Sequence, residues 1–430
     1  MTTRVLTGIK PSGTPHIGNY LGAIRPAIAA SRAADTESFF FLADLHSLIN
    51  TQDPQRVQRS TLEIAASWLA AGLDPEKVWL YRQSDIPEIT ELTWYLTVVA
   101  GKGLLNRAHA YKAAVDRNRE ERQDDDAGIT AGLFMYPVLM AADILVFGAD
   151  KVPVGRDQIQ HIEMARDFAQ RFNHLYGKDY FVLPEATIDD AVATLPGLDG
   201  RKMSKSYDNV IPLFAPREEL KKLVFSIVTD SRAPGEPKDT AGSALFQLYQ
   251  AFASAEQSAA FAQAFADGIG WGEAKQQLFE RIDSELAPLR ARYEALMAEP
   301  EKIEALLCRR GQQLRERFAI PLLKALRHAV GLRALSAATD APAATAVDRA
   351  VLPVFKQYRE KDGRFYFKLL DGQGALLLQS EGFDSPRDAG QRIAALKQAE
   401  HDDALRAAPV TLEAEAGVVL AALRQLREAA

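Results

Sequence analysis

Through the first half of the chain, short apolar runs alternate with stretches whose apolar residues recur at helical spacing. The runs occupy residues 5–9, 39–43, 78–81 and 152–154; helical spacing marks residues 55–71 and, after a candidate Asp157 N-cap, residues 157–172. Strands that alternate with helices at such intervals predict parallel βαβ units. The pattern therefore predicts an α/β fold built on a doubly wound parallel sheet. Ligands of such sheets bind beyond the carboxyl ends of the strands, which makes the loop after residues 5–9 a candidate site.

From about residue 215 the strand signals fade, and residues 217–227, 244–266, 271–296 and 302–329 carry helical periodicity. Residues 336–346, Ser-Ala-Ala-Thr-Asp-Ala-Pro-Ala-Ala-Thr-Ala, lack bulky side chains and read as a linker. Beyond it, residues 364–370 and 375–379 flank a Gly- and Asp-containing turn, a hairpin signal. A helix over 385–399 follows, with Ser385 as cap and Pro386 in its first position. The expected organisation is an α/β domain at 1–214, a helical domain at 215–335, a linker at 336–346 and a small α+β domain at 347–430. Residues 116–126 carry charges of both signs and no apolar residue, so a solvated, mobile loop is expected there.

With 430 residues the chain exceeds what one core, of about 250 to 300 residues, supports. Hydrophobic residues at 47% and charged residues at 25% are ordinary for a soluble protein, and no apolar run approaches a membrane span. The chain enters its first strand without an apolar leader, so a cytoplasmic location is expected, with no membrane partner. A net charge of −6 argues against a broadly basic coat for DNA or RNA and leaves room for a local basic patch. Arg309, Arg310, Arg315, Arg317, Lys324, Arg327 and Arg333, interrupted only by Glu316, form either such a phosphate-tracking face or ordinary solvated helix faces. Cys308 is the only cysteine, which excludes an internal disulfide and a Cys-rich zinc site; it reads as a small core residue on a helix.

Two segments carry chemistry. Residues 10–20 read Lys-Pro-Ser-Gly-Thr-Pro-His-Ile-Gly-Asn-Tyr, and residues 201–209 read Arg-Lys-Met-Ser-Lys-Ser-Tyr-Asp-Asn. The first couples small residues and a histidine to the opening of a helix, where unpaired N–H groups favour a phosphate. Pro11, Ser12 and Gly13 shape its turn, and Gly18 lets adenine or ribose approach the backbone. Lys10 reaches a phosphate or is simply solvated. In the second segment Lys202 and Lys205 suit moving phosphate oxygens, while Met203, Ser204 and Ser206 hold the loop. The opening loop lacks the Gly-x-Gly-x-x-Gly of a dinucleotide enzyme. Residues 132–144, Gly-Leu-Phe-Met-Tyr-Pro-Val-Leu-Met-Ala-Ala-Asp-Ile, place Asp143 in an apolar helical pattern with Met140 one turn earlier, and a carboxylate buried there needs a donor.

Together the two segments resemble the signatures of class I aminoacyl-tRNA synthetases. The 132–144 block is similar to the bacterial tryptophan branch of that family, and the resemblance runs over residues 3–332. It implies a Rossmann-like fold, ATP with Mg2+ as substrate and no permanently bound cofactor. The implied partners are L-tryptophan and tRNA(Trp), in a homodimer whose helical domain reads the anticodon. The implied reaction is ATP-dependent formation of tryptophanyl-adenylate, then transfer of tryptophan to the 2′-hydroxyl of the tRNA's terminal adenosine. Catalytic roles fall by resemblance on His16, Lys202 and Lys205. ATP contacts fall on Lys10, Pro11, Ser12, Gly18, Asn19, Lys112, Gly155, Arg156, Asp157, Leu195 and the loop residues Lys202, Met203, Ser204, Lys205 and Ser206. Within that set Lys112 reaches phosphate, Asp157 grips ribose and the Leu195 backbone meets adenine. The tryptophan pocket falls on Asp143, Met140, Tyr136, Gln158, His46, Leu6, Val152 and Val154, with Asp143 accepting the indole N–H and Gln158 holding the ammonium. Asn19 stands where the fuller motif has a second histidine, and Arg156 where glutamate is common. A tyrosine-specific relative would share both ATP motifs, but Met-Ala-Ala-Asp favours tryptophan. Intact His16, Gly18, Lys202 and Lys205 disfavour a noncatalytic RNA-binding relative. Residues 363–396 resemble a small YegP-like domain of unknown function.

Overall fold

Five parallel strands, β1 (Thr3–Ile9), β2 (Thr36–Leu42), β3 (Trp79–Arg82), β4 (Lys151–Pro153) and β5 (Glu185–Thr187), make a sheet in the order β3-β2-β1-β4-β5. The computed structural model describes residues 2–11, 13–188, 195–332, 335, 352–360, 362–372, 374–399, 401–406 and 408–428. Ser12, Arg333 and the expected linker 336–346 lie outside the described residues. Strand order reverses between β1 and β4, so their carboxyl ends open the crevice in which doubly wound sheets bind ligands.

β2 shows why the sheet has two covered faces. Its Phe40 and Leu42 enter one apolar cluster, with Trp68 of the helix Pro54–Ala70; Phe39 and Phe41 enter another, with Ala141 and Phe168 of the helices Ala131–Leu145 and Ile159–Tyr176. A strand buried on both faces reads as a continuous apolar run, as β2 does. The first cluster continues through Leu245, Phe261 and Leu278, and the second through Leu314, Leu323 and Leu326. The helices beyond residue 214 therefore share the sheet's two cores, and contacts divide the chain once, into Met1–Arg333 and Ala334–Ala430.

Several local expectations change. Asp157 does not cap the following helix; it lies inside a single 3-10 turn (Arg156–Gln158), and the helix starts at Ile159. The 244–266 pattern is two helices, Ala244–Phe252 and Ala255–Ala266, because Ser254 and Gln257 form a capping box that restarts the chain. Residues 116–126 are not one loop. The helix His109–Glu120 runs through the first part, the buried Asn118 donates to the carbonyls of Asp125 and Ala127 (3.0 and 2.9 Å), and Arg119 pairs with Asp125. Cys308 is exposed, its thiol donating to Glu304 at 3.3 Å, because it lies on the solvent side of its helix. Five members of the basic cluster are paired with carboxylates: Arg309 and Arg310 with Glu76, Arg315 with Glu88, Arg317 with Glu37 and Arg327 with Glu91, while Arg309, Arg317 and Arg327 keep about half of their side chains exposed. These pairs tie residues 309–327 to β2, to the turn before β3 and to the helix Glu88–Val99.

The second unit has an antiparallel sheet, β6 (Val354–Arg359), β7 (Phe365–Leu370), β8 (Leu376–Ser380) and β9 (Val410–Leu412), ordered β6-β7-β8-β9. The hairpin expected at 364–379 is β7–β8, and Ser385 caps the helix Pro386–Lys397 by accepting from Asp388 N–H. Among the described residues no helix is long and apolar enough to cross a membrane.

Candidate active site

The two sequence segments meet at the carboxyl end of β1. Ile17 N–H donates to the Ile211 carbonyl (3.0 Å) and Leu213 N–H to the Pro15 carbonyl (2.9 Å), so the chain leaving the second segment is stitched to the first. Gly13 has φ +93°, which requires glycine, and a Cβ there would sit 3.6 Å from Lys205 Nζ. Lys205 thus reaches back over the first turn. Burial lowers its pKa, Glu63 opposes that shift and Arg56 adds to it; burial also lowers that of Lys10.

His16 and Asn19 form a reciprocal cap. His16 Nδ1 accepts from Asn19 N–H (3.3 Å), and Asn19 Oδ1 accepts from His16 N–H (3.0 Å). Because Nδ1 accepts, the ring proton of the neutral form sits on Nε2, which becomes a donor. Burial, helped by the charge of Lys205, pulls the imidazole pKa down to about 4, so the ring is neutral near pH 7. A Cβ on Gly18 would come 2.9 Å from His16 Nδ1 and 3.5 Å from Met203 Sδ. Gly18 is therefore constrained by the seating of this ring.

Asn209, buried, shapes the second loop. Its Nδ2 donates to Asp199 Oδ1 (2.7 Å) and the Lys202 carbonyl (3.1 Å), and its Oδ1 accepts from Ser204 N–H (2.8 Å). A Cβ on Gly197 would strike that amide at 2.4 Å. Ser204 Oγ in turn accepts from Ser206 N–H (3.3 Å), and Met203 N–H donates to the Leu195 carbonyl (2.8 Å). Lys202 itself is exposed.

Asp143 is fully buried on the helix Ala131–Leu145. Gln83 Nε2 donates to both its oxygens (2.8 and 2.9 Å), and His46 Nε2 lies 2.9 Å from Oδ2. Gln83 Oε1 accepts from Leu45 N–H (3.1 Å), which fixes the amide with its NH2 toward the carboxylate. Burial raises the Asp143 pKa, against the pull of His46 and Gln83. A second chain of bonds runs from Asp157 Oδ2 to Gln158 Nε2 (2.6 Å), from Gln158 Oε1 to His161 Nδ1 (3.0 Å), and from His161 Nε2 to Tyr136 OH (2.7 Å). Burial lowers the His161 pKa; the neutral ring gives its Nδ1–H to Gln158 and accepts from Tyr136. The Tyr136 ring meets that of His46 edge-on at 6.3 Å. Leu6 and Val152 are buried in the surrounding core, with Met140 and Val154 half-buried against it.

A family model described as "tRNA synthetases class I (W and Y)" matches residues 1–287. The chain is 73% identical over 429 residues to a tryptophan–tRNA ligase of Xanthomonas axonopodis pv. citri, covering 100% of this chain and 99% of that one. This chain belongs to the class I tRNA synthetases. It is also 61% identical to the tryptophan–tRNA ligase of Pseudomonas aeruginosa, over 91% of this chain and 87% of that one. A crystal structure of Campylobacter jejuni tryptophanyl-tRNA synthetase complexed with ADP and tryptophan superposes with a TM-score of 0.70 at 38% identity, covering 76% of this chain and all of that one. Within the family the chain falls with the tryptophan–tRNA ligases, ATP-dependent enzymes.

In this synthetase Gly18, Asn19, Met203 and Lys205 lie around His16, Lys10 and Pro11 precede them at the end of β1, and a separate cluster gathers His46, Gln83 and Asp143. Lys112 is exposed on His109–Glu120, and Arg156 is exposed beside Gly155, where a Cβ would meet Asp157 Oδ1 at 2.7 Å. Four residues of these networks escape sequence reasoning: Gln83, His161, Asn209 and Glu63, whose buried carboxylate accepts from Thr14 Oγ1 at 3.0 Å. Asn209 was within sight, ending the second segment; the other three carry no local signal. In 15N NMR of labelled histidine, His16 is expected to remain neutral between about pH 5 and 8, titrating near 4 rather than at the ordinary 6.5. A midpoint near 6.5 overturns the burial and Lys205 charge given as the causes of the low pKa.

Proposed function

We propose how this tryptophan–tRNA ligase assigns its chemistry to named residues. The tryptophan carboxylate, ionised at neutral pH, attacks the α-phosphorus of ATP; a C–O–P bond forms, the Pα–O–Pβ bond breaks, and pyrophosphate leaves with the bonding pair. No general base is required. Catalysis consists of alignment and of stabilising charge that spreads over phosphate oxygens. The observation that carries this reading is the meeting of Lys205 with the Gly13 turn beside a neutral His16. His16 offers Nε2–H, Lys205 an ammonium, and Lys202 a second cation at the loop's edge. Lys10 and Lys112 are further phosphate contacts, and Asn19 keeps its Nδ2 donors while Oδ1 serves the cap. Asp157 and Gly155 face the ribose, with Arg156 at the rim, and the Leu195 backbone meets adenine. Ser12 stays in this set by resemblance. Magnesium arrives on the ATP phosphates; among the described residues no cluster of three or more His, Cys, Asp or Glu side chains forms a metal cage.

Tryptophan binds through Asp143. Its two oxygens offer about four acceptor positions, and Gln83 and His46 fill three. The indole N–H takes the fourth, and phenylalanine would leave it unpaired. Since Asp143 has no accessible surface, the indole reaches it through a shift of half-buried His46 or Met140. Tyr136, Leu6, Val152 and Val154 complete the walls, and Gln158 holds the ammonium. In the second step the 2′-hydroxyl of the terminal adenosine of tRNA(Trp) attacks the adenylate carbonyl and AMP leaves. A cytoplasmic location fits these substrates. The anticodon is read by the helical region at 215–335. Trp94 and Val98, one turn apart on the helix Glu88–Val99 and 64% and 60% exposed, support a homodimer, being an apolar pair that a second copy would cover.

Pyrophosphate exchange into ATP, with each amino acid supplied in turn, is expected with tryptophan and none other; exchange with tyrosine redirects the substrate. Lys205→Ala should slow exchange about a hundredfold while tryptophan affinity changes little, as for a contact made in the transition state; equal loss in both refutes that role. Asp143→Asn, which keeps the volume, should raise KM for tryptophan about a hundredfold and relax rejection of phenylalanine. Unchanged discrimination removes Asp143 from the anchor position. Trp94→Glu should shift sedimentation from dimer to monomer, and a dimer that persists places the interface elsewhere.

A further inference from the structure

Pairing register places Lys356 and Tyr358 of β6, Tyr366 and Lys368 of β7, Gln379 of β8 and Thr411 of β9 on one face of the C-terminal sheet. The other face supplies Phe367, Leu369 and Leu378 to the core, packed against the helices Pro386–Lys397 and Ala416–Glu428. The unit thus has helices on one side of its sheet. The opposite face carries two tyrosines whose rings stack at 5.8 Å and 21°. Lys368 Nζ lies 5.5 Å from the centre of the Tyr358 ring. Lys356 stands directly opposite Lys368 in the ladder, a like-charge pair that costs stability unless an anion lies across it. These six outward positions hold two cations and no carboxylate. Asp362, in the β6–β7 turn, accepts from Tyr366 OH at 2.6 Å and so fixes that ring in place.

We propose that this face binds single-stranded RNA. Bases stack on Tyr358 and Tyr366, while Lys356 and Lys368 neutralise the phosphates between them. Gln379 and Thr411 offer hydrogen bonds to base edges. A four-stranded sheet with paired aromatics on its open face and cations beside them is what an unpaired, splayed strand requires; a duplex presents no base faces to stack on. The established substrate of the chain is itself an RNA, but adenylate formation needs none, so the two activities can be tested apart.

The test uses the full chain and a fluorescein-labelled single-stranded oligoribonucleotide of about 12 nucleotides, read by anisotropy over a series of salt concentrations. Tyr358→Ala and Tyr366→Ala should each weaken binding at least about fivefold, and Tyr358→Phe should restore it. The double variant Lys356→Gln, Lys368→Gln should flatten the slope of log K against log salt by about 1.4. Pyrophosphate exchange with tryptophan should be unchanged throughout. The lysine variants, being at surface positions, keep the test decisive where an alanine variant melts early. Unchanged affinity and salt slope in these variants, or a duplex of the same sequence bound as tightly, overturns the proposal.

Discussion

The active crevice depends on two backbone hydrogen bonds that join segments far apart in sequence: Ile17 to Ile211 and Leu213 to Pro15. Without them the second segment would be a polar surface loop and the first a capped helix start with nothing to face. With them, Lys205 is delivered to the Gly13 turn, and its charge helps hold His16 neutral. The stitch lasts because both sides are anchored in one core, which holds Ile17, Met203, Ile211 and Leu213 together. Positioning by packed cores suits a reaction in which the enzyme supplies geometry and charge rather than a proton transfer.

The proposed tryptophan pocket follows a different electrostatic rule. A carboxylate with no solvent access is costly unless donors surround it, and Gln83 and His46 supply them. Burial still outweighs these donors and raises the Asp143 pKa. A third donor would stabilise the ionised form further, so an indole N–H is rewarded where a hydrocarbon edge is not. Gln83 makes this selective because its own Oε1 is held by Leu45 N–H, so it cannot turn to offer an acceptor instead.

Much of this was legible in the sequence because the signals are local. β2 announced itself as an unbroken apolar run, and the two segments proposed to hold ATP combine unusual residues at short spacing. β5 did not, being three residues long with one alanine between Glu185 and Thr187. Gln83, Glu63 and His161 were invisible because at least one partner of each, Asp143, Thr14 and Tyr136 in turn, lies far away in the chain. The carboxylate partners of the basic residues between 309 and 327 were hidden for the same reason: Glu37, Glu76, Glu88 and Glu91 stand more than 200 residues earlier, beyond any window of sequence. Asp157 looked like a helix cap, yet its carboxylate accepts from Gln158 Nε2, a choice that only the network around His161 reveals.

The division into Met1–Arg333 and Ala334–Ala430 separates chemistry from whatever the second unit adds. Every residue assigned to ATP or tryptophan lies in the first unit, and a synthetase can be complete without the second, as the full coverage of the Campylobacter enzyme by 76% of this chain implies. An appended module that carries none of these residues can still change the reaction's yield at low tRNA. Tethering a weak RNA-binding face to the catalytic unit raises the effective concentration of bound tRNA without altering the activation step. Its contribution would then appear in KM for tRNA and in salt dependence, while the rate of adenylate formation stays set by the stitched crevice.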